Sequence, residues 1–476
     1  MTLDTMRLFG CFKCCNRADD DHDDESYYES YESYYEMTDG MIENWTIDDY
    51  LWLGTYIGDS ESVQTIHIDC FPREREEIDA LMGGFSRNRS IQNIEINTDL
   101  SNHAFAELGR VMRNMENIQT IEFYSHPNRR SNTIGPECAD SIASVIGQCK
   151  HVNNLVFERC TFRFSGVFAK IAVAMNSKPQ LEQLSLYGSN IGRDGCAALG
   201  TTLESLETRS LTKLDLSNCA IDDDGLQTLV AGIAHCNPLH LRLSGNYISA
   251  AGLGYLSVYL ESESCCLEEL ILHGVISGDD EAEALADVLK RNESVKHLRF
   301  WFYYTDITAV GRSAFARLLC DTSSINNTYS SNHTLEVIGD GSMDWFVDWN
   351  ITLNRSHQQY AAKYKILLHH PDIQLQSFFQ WDLKFLPLVA DWFDTAMAIN
   401  NSAMVMNDSL GYMQHWRYVF PREKLQQRKL AALYKYIRGV PPLEVSDDYI
   451  KAMQKSWAKR RMTKRFSINR LFIHSK

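Results

Sequence analysis

Cys11, Cys14 and Cys15 stand as C-x-x-C-C near the start of a chain of 476 residues. A zinc site needs about four ligands in a tetrahedron, and no second pair lies nearby. Leu8, Phe9 and Phe12 alongside would suit reversible acylation, although a single lipid holds a membrane only weakly. Metal binding, acylation and ordinary thiols all stay open for this group. His369 and His370 are adjacent, so their rings point apart. Before Pro371 they fit the end of a helix, where positive charge is favoured. The sequence contains no H-E-x-x-H, G-x-S-x-G or G-x-x-x-x-G-K-[ST], and no G-x-G-x-x-G after a strand pattern. Carboxylates are plentiful, but none forms an isolated pair in an apolar setting of the kind that does acid–base work. The expectation is a protein that is not an enzyme, with no cofactor, no metal and no small-molecule substrate.

Binding, unlike catalysis, needs a frame that presents side chains at a fixed spacing, and the sequence contains one. Anchors at Val63, Ile91, Ile118, Val152, Leu181, Leu211, Pro238, Leu267 and Val295 recur every 27–34 residues. Three residues after them stand Ile66, Ile94, Ile121, Leu155, Leu184, Leu214, Leu241, Leu270 and Leu298. Five after stand Ile68, Ile96, Phe123, Phe157, Leu186, Leu216, Leu243, Leu272 and Phe300. Alternation of this sort is a strand with one buried face. The ninth position is Cys160, Cys219 or Asn246 in the central repeats, with Ser189 close to the pattern. Ile191, Ile221, Ile248 and Ile307 each precede a glycine by four residues: Gly195, Gly225, Gly252 and Gly311. From those glycines apolar residues follow at +4 and +8, one face of a helix.

Each repeat is therefore strand, turn, helix and return. Strands stack about 4.8 Å apart and helices about 10 Å, so the helical side must splay outward. The predicted fold is an α/β solenoid, a horseshoe with parallel strands on its concave face and helices on its convex face. The third, fifth and seventh positions of each repeat then face the hollow. Early repeats offer Thr65, His67 and Asp69, then Asn93, Glu95 and Asn97, then Thr120, Glu122 and Tyr124, and the middle adds Asn154, Val156, Glu158, Gln183, Ser185 and Tyr187. Later ones offer Lys213, Asp215 and Ser217, then His240, Arg242 and Ser244, then Glu269, Ile271 and His273, then His297, Arg299 and Trp301. The candidate protein-binding set is Tyr187, Lys213, Asp215, His240, Arg242, Glu269, His273, His297, Arg299 and Trp301. Trp and Arg anchor interfaces most often; the alternative for Trp301 is burial beneath the C-terminal region.

Repeats of this length and pattern resemble leucine-rich repeats of the ribonuclease-inhibitor type. The segments "LCDTSSINNTYSSNHTL" (319–335), "KILLHH" (365–370), "FFQWDLKFLPLVADWF" (378–393) and "LAALYKYIRGVPPL" (430–443) extend the resemblance to a group of such proteins abundant in diatoms. The resemblance implies the architecture and brings no activity with it. It does raise one alternative by fold analogy, a regulator of a small GTPase, because a GTPase-activating protein uses the same repeats; its arginine motif has no match here.

The flanks differ from the array. Residues 1–43 hold an acidic run and "ESYYESYESYYE" without a periodic apolar face, and read as a disordered acidic arm. Residues 44–338 are the expected horseshoe, 339–447 a helical cap over its last hydrophobic edge, and 448–476 a basic tail. Residues 449–476 carry nine Lys/Arg and no acid, whereas the chain as a whole is at −16. An acidic body disfavours nucleic acid except through that tail. Lys459, Arg460, Arg461, Lys464 and Arg465 form a localisation-like cluster; a solvated end is the alternative, and tail-mediated adaptor function another. Thirteen cysteines scattered along the chain read as reduced thiols, and nine Asn-x-Ser/Thr sequons read as chance products of polar loops. The expectation is a monomeric, intracellular, protein-binding scaffold without a membrane span, cytoplasmic, or nuclear if the tail directs it.

Overall fold

The computed structural model describes residues 5–8, 45–68, 71–72, 74–96, 100–124, 133–162, 166–206, 210–340, 345–357 and 361–370. Contacts divide the chain into Met1–Lys365 and Ile366–Lys476, and the first unit holds the repeats. In chain order its elements are β1 (Thr5–Leu8), α1 (Ile47–Asp59), β2 (Thr65–Ile68), α2 (Arg75–Phe85), β3 (Asn93–Ile96), α3 (Asn102–Met112), β4 (Thr120–Tyr124), β5 (Thr133–Ile134), α4 (Pro136–Gln148), β6 (Asn154–Glu158), β7 (Thr161–Phe162), α5 (Val167–Met175), β8 (Gln183–Ser185) and α6 (Gly192–Ser205). There follow β9 (Lys213–Asp215), α7 (Asp223–Cys236), β10 (His240–Arg242), α8 (Ala250–Tyr255), α9 (Ser257–Leu260), β11 (Glu269–Ile271), α10 (Asp279–Leu289), β12 (His297–Arg299), α11 (Ala309–Leu319), α12 (Ile325–Tyr329), β13 (Val337–Ile338), α13 (Trp345–His357) and α14 (Ala361–His369), the last running across the unit boundary.

Among the described residues eleven strands form one parallel sheet in the order β1-β2-β3-β4-β6-β8-β9-β10-β11-β12-β13, and β5 and β7 pair separately. Parallel neighbours need a crossover, which the helices supply. Anchor-plus-three residues align across the sheet, as in Leu184 beside Leu214 beside Leu241 beside Leu270 beside Leu298. All of the anchor, +3 and +5 residues from Val63 to Phe300 are buried, the proline anchor Pro238 included. The fold is thus an α/β leucine-rich-repeat solenoid. The sheet starts earlier than the repeat count suggests, since Thr5–Leu8 pairs with β2 from within the segment read as an arm.

The helices start where the sequence punctuates them. Thr46 and Asp49 make a reciprocal capping box at α1, and Asp222 accepts from the Gly225 N–H at 2.8 Å at α7. Consecutive helix starts are also tied to each other. Asp279 of α10 accepts from the N–H of Thr308 at 2.8 Å and of Gly311 at 2.9 Å in the next repeat, and Asp223 accepts from Ser249 N–H at 2.8 Å. A Cβ on Gly311 would sit 2.6 Å from the Asp279 carboxylate, so glycine there is a packing requirement between repeats.

Beneath the strands runs a ladder of buried polar side chains. Asn246 donates to Leu216 O and Leu243 O, both at 2.8 Å, and accepts from the N–H groups of Cys219 and Ile221, both at 3.0 Å. Ser189 at the same repeat position donates to Phe157 O at 2.8 Å and accepts from Cys160 N–H at 2.9 Å. A second ladder lies three residues before the anchors. Asn88 donates to Ile57 O at 2.6 Å, Asn292 to Leu260 O at 2.8 Å, and Asn332 to Leu289 O at 3.0 Å, while each Oδ1 accepts from backbone N–H groups two and three residues on. These three are sequons, and they are buried bridges between repeats rather than chance loop sequence. Lys178 takes the same position in its repeat and donates to Cys149 O at 2.7 Å. Among the described cysteines all are free; Cys160 and Cys219 are buried on the ninth position as expected.

At the far end, Asn354 of α13 donates to Leu335 O at 2.8 Å. Lys365 of α14 is fully buried and donates to Leu319 O at 2.7 Å and to Asn354 Oδ1 at 2.8 Å. Carbonyls of the last repeat that would face solvent are thus taken up.

Candidate functional site

The third and fifth positions of each strand point away from the helices, and the parallel register sets them side by side. Lys213, His240, Glu269 and His297 form one row, and Asp215, Arg242, Ile271 and Arg299 the next. Ion pairs cross between strands. Arg299 Nε donates to Glu269 Oε1 at 2.8 Å, His240 Nδ1 lies 3.4 Å from Glu269 Oε2, and Arg242 Nη1 lies 3.8 Å from Asp215 Oδ2. Burial pushes the Glu269 carboxyl up, but the Arg299 bond and charge, with His240, outweigh it and leave the group below its ordinary range. Glu269 therefore holds the Arg299 and His240 side chains in place. Arg242 and Arg299 keep about half of their side-chain surface exposed, 52% and 42%.

The seventh position carries the largest side chains. His273 and Trp301 stack with ring centroids 4.7 Å apart at 21°, and Trp301 meets Tyr304 edge-on at 6.0 Å and 70°. Trp301 is 47% exposed, so it is a surface ring supported from one side. His273 Nδ1 is buried without a hydrogen bond; its nearest charge, Asp340 Oδ2, is 3.6 Å away. Burial lowers the His273 pKa, Asp340 opposes this, and Arg299 and Arg242 add to it, so the ring is neutral at neutral pH.

Position eight explains why the aromatic group stands out at this one place. Arg159, Gly188, Asn218, Gly245 and Gly274 all turn the chain there with φ between 53° and 70°. Position eight of the last of these repeats is Phe302, whose bulk disfavours that region. The chain instead makes a 3₁₀ turn over Phe302–Tyr304. Phe302 packs against the core, while Tyr303 and Tyr304 project, 74% and 85% exposed.

Other candidates are distributed differently. Lys213 is exposed, His297 is half-buried beside Glu269, and Tyr187 lies apart, with the Arg159 guanidinium 5.8 Å above its ring. Val156, Ser185, Ser217 and Ile271 were expected to face the hollow freely and are buried. They are short or apolar, and Ile271 lies between Arg242 and Arg299 in the sheet. The first half of the face is acidic. His67 contacts Glu95, the Tyr124 hydroxyl donates to Glu122, and burial raises the pKa of Glu122 and of Glu158. Tyr303, Tyr304 and Asp340 escaped the sequence reading, although five aromatics in succession, Phe300 to Tyr304, running into the place where other repeats turn are a visible signal. Asp69, Asn97, the cysteines at 11, 14 and 15, and the basic tail from Lys459 to Arg465 lie outside the described residues. Among the described residues no group of three His, Cys, Asp or Glu could hold a metal ion, and no helix is long and apolar enough to cross a membrane.

A leucine-rich-repeat family model matches residues 208–230, which cover β9 and the start of α7. Mouse ribonuclease inhibitor is 31% identical over 131 residues, 27% of this chain and 28% of that protein. The repeats are leucine-rich repeats of the ribonuclease-inhibitor type. Pig ribonuclease inhibitor is 29% identical over 154 residues, 32% of this chain and 33% of that protein. Mouse NACHT, LRR and PYD domains-containing protein 14 is 30% identical over 130 residues, 27% of this chain and 13% of that protein. The chain thus spans a third or less of these curated relatives. Among solved structures, the yeast Rad7–Elc1 complex matches with 16% identity and a TM-score of 0.37, over 62% of this chain and 72% of that one. Leucine-rich-repeat proteins generally mediate contacts between proteins and are typically not enzymes.

Proposed function

We propose that the chain is a non-enzymatic scaffold that binds a protein partner on the strand-lined face of β10–β12. The observation that carries this is the exposed Trp301, held by His273 and flanked by Tyr303 and Tyr304, beside two arginines already fixed by carboxylates. A large ring ordered before binding loses little freedom when it is covered, and the adjacent guanidinium edges can donate to a partner's carbonyls and carboxylates. Catalysis is the weaker reading of the same groups. Glu269 is occupied by Arg299 and His240, and His273 Nδ1 faces Asp340 at 3.6 Å rather than a nucleophile. Arg242→Glu with Arg299→Glu and Trp301→Ala should weaken binding of the main partner at least a hundredfold, about 3 kcal/mol, with the circular dichroism unchanged. Full retention of binding by that folded variant would place the interface elsewhere.

A further inference from the structure

The aromatic group at the end of the face is built around an indole with one side free. His273 stacks on Trp301 at 4.7 Å and 21° and covers one face, while Tyr304 stands beside the ring at 70°, its centroid 6.0 Å away. Trp301 is nonetheless 47% exposed and Tyr304 85%, which leaves the indole face away from His273 open. An aromatic face is the negative side of the ring's quadrupole, and it attracts a cation set over it.

The charges around this corner have the matching sign. Arg299 is held by Glu269 at 2.8 Å and Arg242 lies 3.8 Å from Asp215, so each guanidinium has a carboxylate of its own. Asp340 is left over. Its backbone N–H donates to Phe300 O at 3.0 Å, which fixes it next to Trp301 in the sheet. Among the described residues its carboxylate accepts no hydrogen bond, and its nearest basic group is His273 at 3.6 Å, which burial keeps neutral. Asp306, exposed and two residues beyond Tyr304, has no ion pair among the described residues either. With the arginines balanced and these two acids not, the corner sits in negative potential.

A guanidinium suits such a corner better than an ammonium. It is planar, so it lies flat on an indole, and it is weakly hydrated, so it gives up little water; its N–H groups stay free at the edge to donate. We propose that the Trp301 corner takes an arginine side chain of the partner, laid on the indole face opposite His273, with Asp340 and Asp306 as countercharge. This rests on the reading of β10–β12 as the partner-binding face and adds which side chain the partner brings. It also gives a neutral His273 a purpose, since an imidazolium under the same indole would compete with the arginine.

Arginine and citrulline share a shape and differ in charge, so N-acetyl-arginine amide and N-acetyl-citrulline amide are the probes. The full chain carries 5-fluorotryptophan, the Trp301 resonance is assigned from Trp301→Phe, and its fluorine shift is followed at constant ionic strength. The arginine amide should move that resonance about fivefold more per unit concentration than the citrulline amide. In Asp340→Asn/Asp306→Asn, which keeps the shape of the corner, the preference should fall to about twofold or less. Equal responses to the two probes would overturn the proposal, and so would a preference that the double variant leaves unchanged. Either result leaves the docking reading in place, because that reading stands or falls on crosslinking from positions 301 and 242.

Discussion

Asn246→Ala removes the best-connected rung of the ladder under the strands while touching nothing on the binding face. Its side chain makes five hydrogen bonds, donating to Leu216 O, Leu243 O and Ser244 O and accepting from Cys219 N–H and Ile221 N–H, and the residue is buried. A buried hydrogen bond contributes about 1 kcal/mol net, and an N–H left buried without a partner costs about 1–3 kcal/mol. With the two amides stranded, the loss should come to roughly 3–5 kcal/mol, near the upper end of what single substitutions do. Ser189→Ala takes away two bonds at the same repeat position, to Phe157 O and from Cys160 N–H, and should cost about half as much. Urea unfolding of the full chain followed by circular dichroism gives both numbers, read from the midpoint and slope. Below the transition, partner binding by Asn246→Ala should equal wild type. A loss under about 1 kcal/mol, or equal losses at the two sites, would refute the view that this ladder, and not only the leucine core, ties repeat to repeat.

Acid should loosen the C-terminal end of the array through His333. Its Nε2 lies 3.1 Å from Tyr329 O and its Nδ1 3.3 Å from Lys365 Nζ, an arrangement that suits the neutral ring; burial, with Lys365, holds its pKa down to about 4. The unfolded histidine takes up its proton near its ordinary 6.5, so the stability it contributes is present above that pH and is lost as pH falls toward about 4. His333→Gln should flatten the dependence of the urea midpoint across that window. Ending the chain at residue 339 should cause aggregation, because the carbonyls of Leu319 and Leu335 lose their donors and the last repeat its cover; a monomeric truncation by light scattering would remove the capping role proposed for the following helices. Neutralising Lys459, Arg460, Arg461, Lys464 and Arg465 should move any nuclear pool to the cytoplasm under the microscope, and an unchanged distribution would leave those residues a solvated end.

What could be read in advance was whatever repeats with a fixed period. Leu184, Leu214, Leu241, Leu270 and Leu298 announced strands because each sits at the same step and all must be buried, and the glycines at 195, 225, 252 and 311 announced helix starts because the close approach there leaves a Cβ little or no room. The outward-facing rows followed from alternation alone. Bridges that span one repeat were not legible. Asn88, Asn292 and Asn332 look like surface sequons in sequence, since their acceptors lie 31, 32 and 43 residues away. Lys178 and Lys365 are likewise buried donors to carbonyls 29 and 46 residues away. Alternation also overstated the open face. It gives direction but not cover, so Val156 and Ile271 point outward and are still buried. The aromatic turn at 302–304 depended on a backbone region that Phe302 cannot enter comfortably, which no spacing rule expresses.

The central claim is that a protein partner sits on the strand-lined face over β10–β12, and photo-crosslinking by position tests it most directly. A crosslinking residue placed at Trp301, at Arg242, or on the helical side at Val173 or Val258 probes the two faces of the same folded chain, all four sites being exposed. The account predicts that positions 301 and 242 capture the same protein and that 173 and 258 do not, and that Arg299→Glu abolishes the capture from position 242. Capture of that protein from 173 or 258, with none from 301 and 242, would contradict it.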